Sequence, residues 1–158
     1  DFLRQFSEIA DKYHIPDGIL ELELTESIFF DDQGIEFVEK CIHRMHRLGF
    51  KCSLDDFGSG YSSLGLLREF DVDTIKLDRR FFLDISQPKA EDVLICLTEL
   101  GRRLGVQIVA EGIETQEQIA FLKRVRCDMV QGYFYSRPLP AEEFWEWLEK
   151  RREGEGNQ

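Results

Sequence analysis

Two adjacent aspartates, Asp55 and Asp56, end an apolar run and precede a glycine-serine-glycine loop, in the stretch CSLDDFGSGYSSL from Cys52 to Leu64. Like charges this close repel, and each resists ionising beside the other. The pair therefore calls for a compensating positive charge. Glu23, Lys76 and Glu111 also sit at the ends of short apolar runs. Together they make a set of four carboxylates and one lysine, free of sulfur and histidine. Such oxygen donors suit hard cations such as Mg2+, Mn2+ or Ca2+. Two dications held roughly 3.5–4 Å apart are an established arrangement for in-line attack on a phosphodiester. One ion generates hydroxide, and both stabilise charge building on the phosphoryl oxygens. The glycines then let the loop close over the site. Taken singly, each feature has a plainer reading. Asp-Asp before glycines is a turn, Lys76 a surface lysine and Glu23 an edge-strand residue. Gly58-x-Gly60 lacks the rest of either glycine-rich phosphate fingerprint. Only the combination points to a metal site.

The elements that must position these groups follow from hydrophobic periodicity. Phe2, Phe6, Ile9 and Tyr13 lie at helical spacing, and Ile15-Pro16-Asp17-Gly18 breaks that helix. Strands are predicted over Ile19–Leu24, Phe50–Leu54, Asp73–Leu77, Val106–Ala110 and Asp128–Gln131. Helices are predicted over Gly34–Leu48, stopped by Gly49, and over Ala90–Leu104, stopped by Gly105. Further helices are predicted over Thr115–Val125 and Pro140–Arg152, with a short one running to Arg68 from a cap at Ser62 or Ser63. Residues 153–158 read as a polar, disordered tail after a domain spanning 1–152.

Strand and helix alternate throughout, which implies parallel strands under covering helices. Side chains alternate faces along a strand. Leu20, Leu22 and Leu24 oppose Glu21 and Glu23, and Phe50, Cys52 and Leu54 oppose Lys51, Ser53 and Asp55. Ile75 and Leu77 oppose Thr74 and Lys76, and Val106, Ile108 and Ala110 oppose Gln107, Val109 and Glu111. An open sheet covered on both sides wants two apolar faces. One apolar face, and one polar face whose charges gather at the strand C-termini, fit a barrel with a functional mouth. The fold class expected is α/β, a TIM-like barrel present as an incomplete arc of about five parallel strands.

The chain has 158 residues and a net charge of −11. That balance argues against a DNA or RNA groove and against an anionic membrane surface, both of which need clustered Lys and Arg. It leaves room for a phosphate substrate, because bound dications invert the local field. Cys41, Cys52, Cys96 and Cys127 form no C-x-x-C pair, and read as small apolar fillers or reduced thiols, which fits a reducing cytoplasm. No apolar run reaches the ~18 residues of a membrane helix, and no signal-peptide pattern is present. His43 and His46 read as part of a solvated helix face. Phe29-Phe30 read as packing residues. Phe144, Trp145, Trp147 and Leu148 are expected to dock the last helix onto the barrel. The start at Asp1 suggests a segment of a longer chain.

At these same residues the chain resembles the EAL family of bacterial cyclic di-GMP phosphodiesterase domains. Glu23–Ser27 looks like the family's E-x-T-E-S strand end, and DDFGSGYSSL at Asp55–Leu64 matches its metal and loop motif. IKLD at Ile75–Asp78, VAEGIET at Val109–Thr115 and QGYFYSRP at Gln131–Pro138 resemble three further motifs in the family's order. The resemblance implies hydrolysis of cyclic di-GMP to linear pGpG with two Mg2+ or Mn2+ ions. It casts Glu23 and Asp55 as ligands of the first ion, Asp55 as the bridge and Asp56 beside the second ion. Lys76 would hold the attacking water, and Glu111 would ligate or act as general base. Glu26 would anchor the loop containing Gly58 and Gly60, with Glu114 and Gln131 as supporting polar groups. It further implies an upstream sensory domain and dimerisation through the loop after Asp56 and the segment after Lys76.

The signature glutamate-alanine-leucine strand is absent from this chain. A metal-binding glutamate, an arginine and an asparagine of the family are expected before Asp1. A full barrel needs about 250 residues, so the isolated segment is expected to turn over weakly or not at all while its parent domain is active. The rival expectation is a catalytically inactive cyclic di-GMP receptor or protein-interaction module. A third is an unrelated divalent-metal barrel enzyme, such as an enolase-like one.

Overall fold

The computed structural model of the protein describes residues 2–25, 32–58, 65–83, 85 and 87–155. Five parallel strands form one sheet in sequential order: β1 Glu21–Thr25, β2 Lys51–Phe57, β3 Thr74–Leu77, β4 Gln107–Ala110 and β5 Met129–Val130. The helices are α1 Phe2–Tyr13, α2 Asp32–Arg47, α3 Leu66–Glu69, α4 Pro88–Leu104, α5 Gln116–Val125 and α6 Ala141–Glu155, with a 3-10 turn at Arg79–Phe82. Right-handed crossovers in a strictly sequential order put the covering helices on one side. The other side is left to polar residues, as in a barrel wall. The arc is not closed: β1 and β5 are its two edges.

The apolar face carries the core. Leu54, Ile75, Leu77, Ile108 and Ala110 are buried on it against Val38, Ile42 and Met45 of α2 and Leu94 of α4. Each buried Leu, Ile, Val or Met among them contributes roughly 1.5–3 kcal/mol by leaving water. In α1 the residues that betray the helix, Phe2, Phe6, Ile9 and Tyr13, are exposed, and Leu3 is the one buried. α4 starts two residues earlier than periodicity suggested because Pro88 suits a first helical turn, and it ends on Gly105 at φ 74°. Thr115 and Gln118 form a reciprocal capping box that fixes the start of α5. α6 runs to Glu155, past the expected tail boundary. Among the described residues no helix is long and apolar enough to cross a membrane.

One expectation needs correction. His46 does not sit on a solvated face: its Nε2 lies 2.9 Å from Asp73 Oδ2, and that oxygen also accepts the Cys52 N–H at 2.8 Å. The group ties the end of α2 to the N-terminal side of the sheet. His43 does remain exposed, 3.9 Å from Glu39. Of the cysteines, Cys52 is a buried filler whose thiol burial pushes up to about 12, with Asp73 and Glu21 adding to the shift. Cys96 is an exposed free thiol on α4, so the four divide between the two kinds expected.

A second tie joins the segment after β4 to the segment after β5. Ile113 N–H donates to the Gln131 carbonyl at 3.2 Å, and Phe134 N–H donates to the Ile113 carbonyl at 2.9 Å. Gly132 lies between them, and a methyl group there would overlap the Ile113 backbone. Since backbone has nowhere to move, Gly132→Ala is expected to cost about 3 kcal/mol. Urea denaturation checks this, and a loss under about 1 kcal/mol would show that the crossing is not tight.

Candidate active site

Strict alternation along β2 would send Asp55 and Asp56 to opposite faces. The chain avoids this with a bulge. Leu54 pairs with Ile75 and Phe57 with Leu77, so three steps on β2 match two on β3. The extra residue lets Phe57 return to the apolar face, where it is buried, while Asp55 and Asp56 both stay near the mouth. Asp56 takes up the distortion with φ 56°, and its N–H donates to Asp55 Oδ1 at 2.9 Å. Aspartate tolerates this left-handed conformation better than most residues. The parity of the sequence did not disclose the bulge.

Lys76 stands at the centre. Its Nζ lies 2.6 Å from Glu23 Oε1 on β1, 2.8 Å from Glu111 Oε1 after β4 and 3.4 Å from Asp55 Oδ1 on β2. The lysine side chain is only 9% exposed, Asp55 and Glu111 are about a fifth exposed, and Glu23 is half exposed. Burial disfavours the ammonium. The hydrogen bonds to Glu111 and Glu23, and the nearby charge of Glu111 and Asp55, outweigh it and hold the lysine pKa above its ordinary value. That pKa exceeds the unfolded value, so the stabilisation is complete at neutral pH. It fades only as strongly alkaline solution passes through the folded value. Deeper in the arc the Thr74 hydroxyl donates to Glu21 Oε2 at 2.8 Å.

One carboxylate oxygen each from Asp55, Asp56 and Glu111 lie within 4.8 Å of one another, a spacing that can hold a cation. The donor set is all oxygen and suits a hard dication. Glu23 joins this trio through Lys76 rather than directly. Glu114 and Gln131 do not touch the lysine; they line a cavity of about 740 Å3 that opens beside Glu111. Gly58 has φ 86° and lies under the Phe81 ring. Glu26 and Gly60, with Phe29, Phe30, Ser62 and Ser63, lie outside the described residues.

The cavity shows what sequence reasoning missed. Its walls include Arg79, Tyr133, Tyr135, Arg137 and Trp147. The only local signal was the aromatic and arginine alternation of Tyr133–Pro138. The docking expected of α6 holds in part. Phe144 and Trp147 stack with ring centroids 5.9 Å apart and face the cavity, and Arg151 lies over Tyr135 and Trp147. Trp145, however, is 62% exposed and docks nothing.

Removing the ammonium leaves the carboxylates facing one another. Lys76→Met is expected to destabilise the metal-free protein by about 2–3 kcal/mol, discounting for the solvent at Glu23. It also frees their lone pairs for a cation, so Mn2+ should raise the thermal midpoint more in the variant than in the parent. Differential scanning fluorimetry with and without Mn2+ checks both parts. An equal or smaller Mn2+ shift would count against these carboxylates as ligands.

Comparison with known proteins places this geometry. The family model described as the EAL domain matches residues 1–138. NbdA from Pseudomonas aeruginosa, named a cyclic di-GMP phosphodiesterase, is 41% identical over 136 residues, which is 84% of this chain and 17% of NbdA. The crystal structure of the EAL domain of Mycobacterium smegmatis DcpA superposes with a TM-score of 0.86 at 35% identity, covering 94% of this chain and 66% of that one. BlrP1 from Klebsiella pneumoniae, in a manganese and cyclic di-GMP complex, gives a TM-score of 0.78 at 28% identity over 86% of this chain and 34% of that one. The chain thus spans between 16% and 25% of the length of the curated relatives it matches. With its motifs in order and its carboxylates gathered on one lysine at the mouth of a parallel arc, the chain belongs to the EAL domain family.

Proposed function

We propose that the protein carrying this chain hydrolyses cyclic di-GMP to linear pGpG with divalent metal. The observation that carries the reading is the meeting of Glu23, Asp55 and Glu111 around Lys76, with Asp56 alongside. Relatives named cyclic di-GMP phosphodiesterases support the substrate. The manganese complex of BlrP1 supports a dication, and we assign Mg2+ or Mn2+ to Asp55, Asp56, Glu111 and Glu23.

When bound, the ions would supply Lewis acidity and a lowered water pKa. The residues of the chain supply the rest. Lys76, whose ammonium reaches Glu23, Glu111 and Asp55 at the mouth, is placed to donate a hydrogen bond to the attacking water. Glu111, reaching Lys76 on one side and the cavity on the other, is the carboxylate placed to take the water's proton wherever it is not itself holding an ion. Asp55, held by the Asp56 amide and by Lys76, keeps its orientation without help from substrate. Such preorganisation is where most catalytic stabilisation comes from. Glu114 and Gln131, on the cavity wall, support the substrate's polar groups.

The relatives are several times longer, and one is named an oxygen sensor protein. We therefore place an upstream sensory domain on the parent protein. Free thiols among the described residues suit a reducing cytoplasm.

The test is release of pGpG from cyclic di-GMP by the full-length protein with Mn2+, followed chromatographically. Asp55→Asn is expected to lower kcat by about a thousandfold or more, the scale of losing a metal-bridging or charge-stabilising group. EDTA is expected to abolish turnover. Full activity in EDTA, or an active Asp55→Asn enzyme, would refute metal-assisted hydrolysis at this site.

A further inference from the structure

Cyclic di-GMP carries two phosphodiesters, and the carboxylate cluster with its metal accounts for one. The other brings a negative charge to a protein of net charge −11, so it needs a local cation. The cavity beside Glu111 offers two, Arg79 and Arg137. Arg137 is engaged over the Tyr133 ring at 5.1 Å. Arg80, next along the chain, is held by Asp78 at 2.6 Å. Arg79 makes no salt bridge within 4.0 Å among the described residues, though its charge also acts on Asp78, which Arg80 holds directly.

The position of Arg79 is built in. It opens the 3-10 turn that follows β3, one residue beyond Asp78. Its stem crosses Gly112, the residue after Glu111. A Cβ on Gly112 would fall 2.6 Å from Arg79 Cβ and 3.6 Å from its Cδ. Gly112 has φ 64°, where a side chain is disfavoured anyway. The backbone beside Glu111 is therefore kept bare on the side where the arginine passes. A guanidinium is always charged and presents a planar fork that fits a phosphate.

We infer that Arg79 binds the phosphodiester of cyclic di-GMP that is not being cleaved, and so favours a two-phosphate ring over single diesters. This rests on the phosphodiesterase reading above. The role is substrate binding, not bond cleavage.

The test compares the full-length protein and its Arg79→Ala variant, with Mn2+, on cyclic di-GMP and on bis(p-nitrophenyl) phosphate, which has one phosphodiester. Arg79→Ala is expected to raise KM for cyclic di-GMP about ten- to a hundredfold, the worth of one charge-assisted hydrogen-bonded pair, with kcat little changed. The loss in kcat/KM should be about tenfold larger or more on cyclic di-GMP than on the single diester. Arg79→Lys, which keeps the charge, should recover much of the KM. An unchanged KM for cyclic di-GMP, or equal losses on the two substrates, overturns the assignment. A parent protein that cleaves the single diester but not cyclic di-GMP overturns the substrate reading itself, and the role of Arg79 falls with it.

Discussion

One ammonium group neutralises carboxylates delivered by three different strands. Lys76 reaches Glu23 across 53 residues of sequence and Glu111 across 35, at hydrogen-bonding distances in both cases. Partly buried carboxylates without a partner are costly, and so is a buried lysine. Neither could occupy the mouth alone. Their mutual presence fixes which face of β1, β2 and β3 must turn inward and how closely these strand ends and that of β4 approach. The same requirement makes the site receptive to metal, since a cation can take over much of the role that the lysine plays.

The two ends of the sheet divide the work. At the strand N-termini, Asp73 gathers His46 and the Cys52 amide into a purely structural knot. At the C-termini, charge is gathered around Lys76. The β2 bulge belongs to the second end, and the paired crossing of residues 111–113 with 131–134 sets the distance from Glu111 to the cavity wall. Changes at one end need not disturb the other, because the apolar layer of Leu54, Ile75 and Ile108 lies between them.

Much of this was legible in the sequence because period-two alternation is a local property. Glu23, Asp55, Lys76 and Glu111 fell on one face by simple counting, and the structure brings those four together. Asp56 was placed beside them on chemical grounds, but its route there, a bulge at positive φ, leaves no mark in side-chain periodicity. The partner of His46 lies 27 residues away on another element, so the helix pattern that put His46 in solvent had no access to it. α6 misled for a different reason. Phe144, Trp145 and Trp147 crowd two faces of one helix, and hydrophobicity alone cannot tell the wall of a cavity from exposed surface. Arg79 drew no reading from the sequence, because its stem lies over Gly112, 33 positions away, and no local pattern marks that crossing.

The backbone at Asp56 carries a consequence for how such domains age. Its φ of 56° suits glycine better than any side chain, and its charge is crowded by that of Asp55. Drift toward a more comfortable polypeptide would therefore erase this carboxylate early, leaving the fold intact and the ligand set short by one. A single Asp56→Gly change would relieve the backbone while taking one carboxylate from the cluster, so comfort of the chain and charge at the mouth pull this position in opposite directions.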